Sequence, residues 1–162
     1  FAYRFTEILP FRIAPGAALP TAPNTCADRL ADVAEVASIH RRILVAHLES
    51  DVDALLTDIT PKGLNSGRGT LSWSFKDAMR ERFESYLGST RFERYEDTAV
   101  PVIAISHDGT LGWLACEIEA AGEQTGDTGQ VIPLEFGFSW VELVARENGR
   151  WMGIGNASSQ RP

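Results

Sequence analysis

Apolar residues recur every three to four positions over residues 28–49, and this spacing predicts a long amphipathic helix. Asp51 then predicts the N-cap of a short second helix over residues 52–57. A third helix is predicted to follow Ser74, which resembles the start of a capping box, and to end near Gly88. The elements predicted between residues 28 and 88 are therefore mainly helices.

In the second half of the chain, apolar residues recur at every second position, which is typical of β-strands. Asp108-Gly109 and Asn148-Gly149 lie between such segments and suit type I′ hairpin turns. The segment 61–69, rich in glycine, is predicted to be a loop. Helices followed by strands indicate an α+β domain with helices on one face of an antiparallel sheet. The predicted strands, which would form a meander, are 100–106, 111–121, 134–146 and 150–157.

Two-residue turns would fix which side chains share a face of the sheet. In the first hairpin, Trp113 and Glu117 would lie on one face, with Ile103, Ile105, Leu114, Cys116 and Ile118 on the other. In the second hairpin, Val141, Ile154 and Asn156 would share a face. Because both faces carry large apolar residues, we expect one to cover the helices and the other to form a homodimer interface.

The composition is that of an ordinary folded domain: 162 residues, 44% apolar and 23% charged. Lys and Arg number 15 against 22 Asp and Glu, which gives a net charge of −7. An acidic surface repels phosphate backbones, so we expect no nucleic-acid partner. The chain contains no uninterrupted apolar run of about 18 residues, so no membrane span is expected.

The two cysteines, Cys26 and Cys116, belong to no CxxC or Cys/His motif. The sequence is compatible with two alternatives: a disulfide between these cysteines, or two separate thiols with Cys116 packed inside a strand. No phosphate-binding or dinucleotide motif occurs. We therefore expect neither a metal nor a cofactor.

The chain divides into an extended N-terminal arm (1–27), one domain (28–158) and a short C-terminal tail (159–162). The arm contains four prolines and six large apolar residues, so we expect it to dock on its own domain or on a partner subunit. A soluble protein of the cytoplasm is the default expectation for location. An exported form is the alternative, since the chain starts at Phe1 without a methionine.

The order of the predicted elements and several sequence segments resemble the nuclear transport factor 2-like superfamily, and specifically its SnoaL-like branch. The matching segments are His47 to Leu56, Met79 to Tyr86, and Gly149 to Trp151 followed by Asn156 to Ser158. The resemblance implies a cone, in which a curved sheet wraps a long helix and leaves a pocket at its open end. Relatives include ketosteroid isomerases, scytalone dehydratases and polyketide cyclases, besides pocketed proteins without a known activity.

The resemblance does not extend to the catalytic residues of a ketosteroid isomerase. Ile43 stands where such enzymes place a tyrosine, and residues 59–69 contain no carboxylate that could be the base. Val141 is nearest to the position of their second acid. An isomerase of that design is therefore not expected, although a related cyclase, dehydratase or lyase stays open as an alternative.

His47 and Glu117 are the candidate catalytic residues. His47 shares a face of the long helix with His40, and in a dehydratase-like arrangement Asp51 would orient its ring. Glu117 lies in an apolar setting that would raise its pKa if it faced the cone. The alternatives are a half-buried, hydrogen-bonded His47 and a Glu117 that is turned outward with Glu119.

The expected ligand is a small apolar or amphipathic molecule, held in the cone by aromatic and polar side chains. An enzyme that needs no cofactor and a non-catalytic dimeric interaction domain are the two alternative functions. The predicted pocket residues are the aromatic residues Trp73, Phe83 and Tyr86 and, on the side of the sheet that the resemblance implies for the pocket, Trp113, Glu117, Val141, Ile154 and Asn156.

Overall fold

A computed structural model describes residues 27–160, so the predictions about Cys26 and nearly all of the N-terminal arm lie outside the described residues. After a 3₁₀ turn at Ala27–Arg29, the described helices are α1 (Leu30–Glu49), α2 (Val52–Thr57) and α3 (Lys76–Ser89). The strands are β1 (Ile59–Gly67), β2 (Thr70–Phe75), β3 (Thr90–Asp97), β4 (Val102–Ile105), β5 (Leu111–Thr125), β6 (Val131–Glu147) and β7 (Arg150–Gln160). The predicted α+β class is confirmed.

The start of α2 confirms the predicted N-cap. The Asp51 carboxylate accepts a hydrogen bond of 2.9 Å from the Ala54 amide. This bond satisfies one of the amides that the first turn of a helix leaves without a partner. The predicted capping box at α3 is wrong, because Ser74 belongs to β2 and its hydroxyl bonds to the Asn65 amide group instead.

The sheet is mixed and curved but not closed, rather than a purely antiparallel meander. Its strands follow the order β2-β1-β7-β6-β5-β3, with β4 also paired to β5, and β1 runs parallel to β7. The predicted loop 61–69 is a hairpin that turns at Arg68 and Gly69, both with positive φ. No apolar alternation marks β2 in the sequence, because the side chains of this strand are almost all exposed.

The register of the first predicted hairpin is confirmed, since Ile103 pairs with Leu114 and Ala104 pairs with Trp113. Its turn differs from type I′, because Gly109 has a positive φ and Asp108 does not. The Asp108 carboxylate instead accepts hydrogen bonds from the side chains of Ser106 and Thr110. Both residues of Asn148-Gly149 have positive φ, as a type I′ turn requires.

A bulge shifts the register of the second hairpin. Val144 pairs with Gly153, whereas Leu143 pairs with Gly155, so Ile154 is an extra residue on β7. An extra residue shifts the pairing of the residues beyond it by one position, so they share a face with different partners than strict alternation predicts. Asn156 consequently lies opposite Glu142 and not opposite Val141.

The core lies between α1 and one face of the sheet, here called the inner face and defined by Leu114, Cys116 and Ile118 of β5. The other, outer face carries Trp113 and Glu117 of the same strand. The largest fully buried side chain is that of Trp151, whose indole N–H donates to a carboxylate of α1. Within the described residues, no helix is long and apolar enough to cross a membrane.

Candidate functional site

A cavity of about 230 Å³ lies between the helices and the inner face of the sheet. The cavity therefore has room for a small ligand. Apolar and aromatic side chains make up much of its wall, and polar groups lie among them. The lining residues include Ile43, His47, Leu55, Asn65, Met79, Phe83, Tyr95, Phe138, Trp140, Glu142 and Asn156, with Arg82 also contributing.

His47 enters the cavity from α1. Its Nδ1–H donates a hydrogen bond of 2.7 Å to the Ile43 carbonyl, and its ring stacks on Tyr95 at 4.1 Å between centroids. Burial lowers the pKa of His47 to about 4, although the bond to Ile43 acts in the opposite direction. The imidazole is therefore neutral at pH 7. Nε2 then carries no proton and is a hydrogen-bond acceptor.

Glu142 enters the same cavity from β6. Burial raises the pKa of this carboxyl group to about 8, and a hydrogen bond from Asn156 partly opposes the rise. The group is therefore mostly protonated at pH 7 and can donate a hydrogen bond. Gly153 leaves room for it, because a Cβ at that position would come within 2.5 Å of Glu142 Oε1.

The strand register sets the polar side chains in a row. Asn65 of β1 pairs with Asn156 of β7, which pairs with Glu142 of β6. Directly paired residues project from the same face of a sheet, so three polar side chains line one strip of the cavity wall. Since Phe138 and Trp140 of β6 also line the cavity, the wall joins a polar strip to an aromatic surface.

The tyrosines near His47 remain protonated at ordinary pH. Burial raises the pKa of Tyr86 to about 12, and burial also raises the pKa of Tyr95. Neither phenol is thus a base near neutral pH. The groups with opposite protonation preferences are His47, which resists taking up a proton, and Glu142, which resists losing one.

Of the predicted site residues, the structure brings His47, Phe83 and Asn156 together around the cavity. Tyr86 lies beside them, with its ring 6.4 Å from that of His47, but it is not part of the lining. Asp51 does not orient His47, because its carboxylate caps α2. The Ile43 carbonyl holds the imidazole instead.

The other predicted pocket residues lie elsewhere. Trp113, Glu117 and Val141 project from the outer face, because strand alternation places their neighbours Leu114, Cys116, Trp140 and Glu142 on the inner face. The Trp73 side chain is 58% exposed on β2, with the Lys62 ammonium 4.2 Å from its ring centre. Ile154 is the bulge residue of β7 and does not line the cavity.

Sequence reasoning missed Glu142, Asn65 and Tyr95. Glu142 carried a usable signal, since it is an acidic residue inside an apolar strand and shares the side of that strand with Trp140. Asn65 and Tyr95 carried none, because the segments that contain them were not recognised as strands. Their place in the cavity depends on strand pairings between distant parts of the chain.

No protein-family profile matches the chain, and no curated protein matches it. Solved structures do. A protein of the NTF2-like family from Streptomyces avermitilis is 10% identical with a TM-score of 0.65, over 81% of this chain and 97% of that one. An NTF2-like protein of unknown function from Pseudomonas putida is 14% identical with a TM-score of 0.63, over 80% and 86%.

A ketosteroid isomerase-like protein from Erwinia carotovora atroseptica is 20% identical with a TM-score of 0.57, over 80% of this chain and 95% of that one. These likenesses show that the chain has the NTF2-like fold, which confirms the fold that the sequence resemblance implied. Identities this low say nothing of a shared reaction. The narrower SnoaL-like assignment stays a prediction.

Proposed function

We propose that the protein binds a small amphipathic molecule in the cavity between α1, α3 and the inner face of the sheet. The observation that carries the proposal is the contrast between two parts of one wall. Phe138 and Trp140 offer an aromatic surface, and Glu142 with Asn156 offers a hydrogen-bonding end beside it. Small-molecule sites generally combine an apolar lining with a few convergent polar groups.

The protonation states favour a neutral oxygen on the ligand. A protonated Glu142 donates a hydrogen bond, and His47 Nε2 accepts one. A hydroxyl group suits both partners, because its oxygen can accept from Glu142 while its hydrogen is donated to His47, and a carbonyl oxygen suits Glu142. A carboxylate beside Glu142 would instead disfavour ionisation of either acid. The aromatic surface of Phe138 and Trp140 suits an apolar part such as a single ring.

A pair of variants on α1 tests the binding. Ile43→Trp puts a large ring into the cavity, and Val45→Trp puts the same ring on the exposed side of the same helix. With acetophenone as the probe, ligand-observed NMR is expected to detect binding to the parent protein and to Val45→Trp. The signal is expected to vanish in Ile43→Trp. Equal binding by both variants would place the ligand outside the cavity.

A second candidate function is a cofactor-independent enzyme of the lyase, cyclase or dehydratase kind. The observation in its favour is that His47 and Glu142, whose pKa values are shifted in opposite directions, line one cavity. In this proposal His47 Nε2 takes a proton from carbon while Glu142 donates a hydrogen bond to the neighbouring oxygen. The predicted candidate Glu117 lies on the outer face and has no part in it.

Exchange of the acetophenone methyl protons with D₂O separates binding from proton transfer. An enzyme of this kind would catalyse the exchange, with a rate that falls below about pH 4 as His47 is protonated and above about pH 8 as Glu142 ionises. His47→Gln would abolish catalysis but retain binding. Binding without any exchange above the buffer rate would leave the protein as a binding domain for this class of ligand.

A further inference from the structure

A second cluster of chemically active side chains lies in the core, apart from the cavity lining. His40 of α1, Asp97 of β3 and Cys116 of β5 each offer one ligand atom, and the three atoms lie within 4.8 Å of one another. The His40 Nε2 atom is 2.8 and 3.0 Å from the two carboxylate oxygens of Asp97. The cluster therefore joins one helix and two strands of the sheet.

We propose that His40, Asp97 and Cys116 form a binding site for a zinc ion. The ligand types are an imidazole nitrogen, a carboxylate oxygen and a sulfur, which together form a set typical of Zn²⁺ in proteins. Zinc–nitrogen and zinc–oxygen bonds of about 2.0–2.2 Å and zinc–sulfur bonds of about 2.3 Å place tetrahedral ligand atoms about 3.3–3.6 Å apart. The cluster approaches this spacing with side-chain adjustments of less than about 1.5 Å.

The charge balance favours a divalent cation. Asp97 and a Cys116 thiolate would supply two negative charges, which Zn²⁺ neutralises, and His40 binds as a neutral ring. A thiol that coordinates zinc is deprotonated, so Cys116 would bind as the thiolate.

The hydrogen bonding of the cluster is incomplete. His40 is 4% exposed, and its Nδ1 is buried without a hydrogen-bond partner among residues 27–160. The Cys116 thiol has only a long contact of 3.9 Å to the Trp140 carbonyl. Buried polar atoms are nearly always paired, so the His40 ring, with one nitrogen bonded to Asp97 and the other without a partner among residues 27–160, has hydrogen-bonding capacity to spare.

This proposal departs from the expectation of no metal that the cysteine spacing gave. The ligands come from positions 40, 97 and 116 on three separate elements, so no short sequence motif contains them. Since the ion would connect α1 to β3 and β5, binding it is expected to stabilise the fold. The proposal is independent of ligand binding in the cavity.

The test measures metal binding directly on the full chain. After treatment with a chelator and dialysis, the parent protein is expected to retain one equivalent of added Zn²⁺ and to melt at a higher temperature than the metal-free form. With Co²⁺ in place of zinc, a thiolate-to-cobalt charge-transfer band is expected. Absence of both the retained zinc and the cobalt band in the parent protein would overturn the proposal.

Two cysteine variants locate the sulfur ligand. Cys116→Ser is expected to lose the cobalt band and to bind zinc at least 100-fold more weakly, beyond the roughly 10–100-fold that an outer-shell partner contributes. Cys26→Ser, which changes the cysteine outside the described residues, is expected to keep both properties. Loss in Cys26→Ser alone would overturn the assignment. Should Cys116→Ser fail to fold, Asp97→Asn with circular dichroism as the folding check tests the same site, and unchanged zinc affinity in that variant would also overturn it.

Discussion

Replacing Glu142 by glutamine removes an acid whose ionisation the fold opposes. Its pKa rises from 4.5 to about 8 on folding, so the folded chain retains this proton over a pH range in which the unfolded chain has lost it. The carboxyl group therefore makes the protein less stable as the pH rises from 4.5 to about 8. Glutamine does not titrate, and its amide group can still donate a hydrogen bond to the cavity.

The size of the effect follows from the shift. At 1.36 kcal/mol for each unit of pKa, the rise from 4.5 to about 8 corresponds to about 5 kcal/mol. Water that enters the cavity solvates the carboxylate and reduces this figure, so we expect about 2–5 kcal/mol above pH 8. Glu142→Gln should match the parent protein near pH 4.5 and exceed it in stability by that amount at pH 8–9.

Urea denaturation followed by tryptophan fluorescence at several pH values measures the difference between the two proteins. Glu147→Gln, at the exposed end of the same strand, controls for the removal of one carboxylate from an acidic surface. A difference in unfolding free energy between Glu142→Gln and the parent that stays constant from pH 4.5 to 9 would refute the account of Glu142 as a buried, protonated acid.

His47 gives the opposite pH dependence of stability, because folding lowers its pKa from 6.5 to about 4 and the unfolding free energy therefore decreases as the pH drops through that range. In acid denaturation curves, His47→Gln should make this decrease in unfolding free energy smaller by about 3 kcal/mol. Asp51→Ala should destabilise the fold by about 1 kcal/mol through loss of the α2 cap, and an unchanged urea midpoint would contradict this. We propose that the outer face forms a homodimer, because Val141 and Leu143 are 39% and 44% exposed beside Trp113. Val141→Lys should then give monomers in light scattering, and a monomeric parent protein would contradict the dimer.

The sequence predicted those parts of the fold that are set by local chemistry. Asp51 and the Asn148-Gly149 turn determine their own surroundings through a side-chain cap and a positive φ, so both could be predicted from neighbouring residues. Alternation alone also predicted that Leu114 and Cys116 project from the same face of the sheet, and both are buried there.

The candidate site was predicted only in part, because its geometry depends on the bulge at Ile154. Extrapolation of a strict period of two from the turn placed Asn156 beside Val141, and the extra residue instead places it beside Glu142. Trp113 and Glu117 were assigned to the cavity through the family resemblance, and the structure places both on the outer face. His47 was found because helical spacing on α1 continues undisturbed to the cavity.

A crystal structure of the protein soaked with acetophenone tests the central claim most directly, since it shows where the molecule lies and which atoms contact its oxygen. We predict that the ring lies against Phe138 and Trp140 and that the carbonyl oxygen lies within hydrogen-bonding distance of Glu142 or Asn156. Acetophenone bound on the outer face of the sheet, with the cavity filled by water alone, would contradict the assignment of this cavity as the binding site.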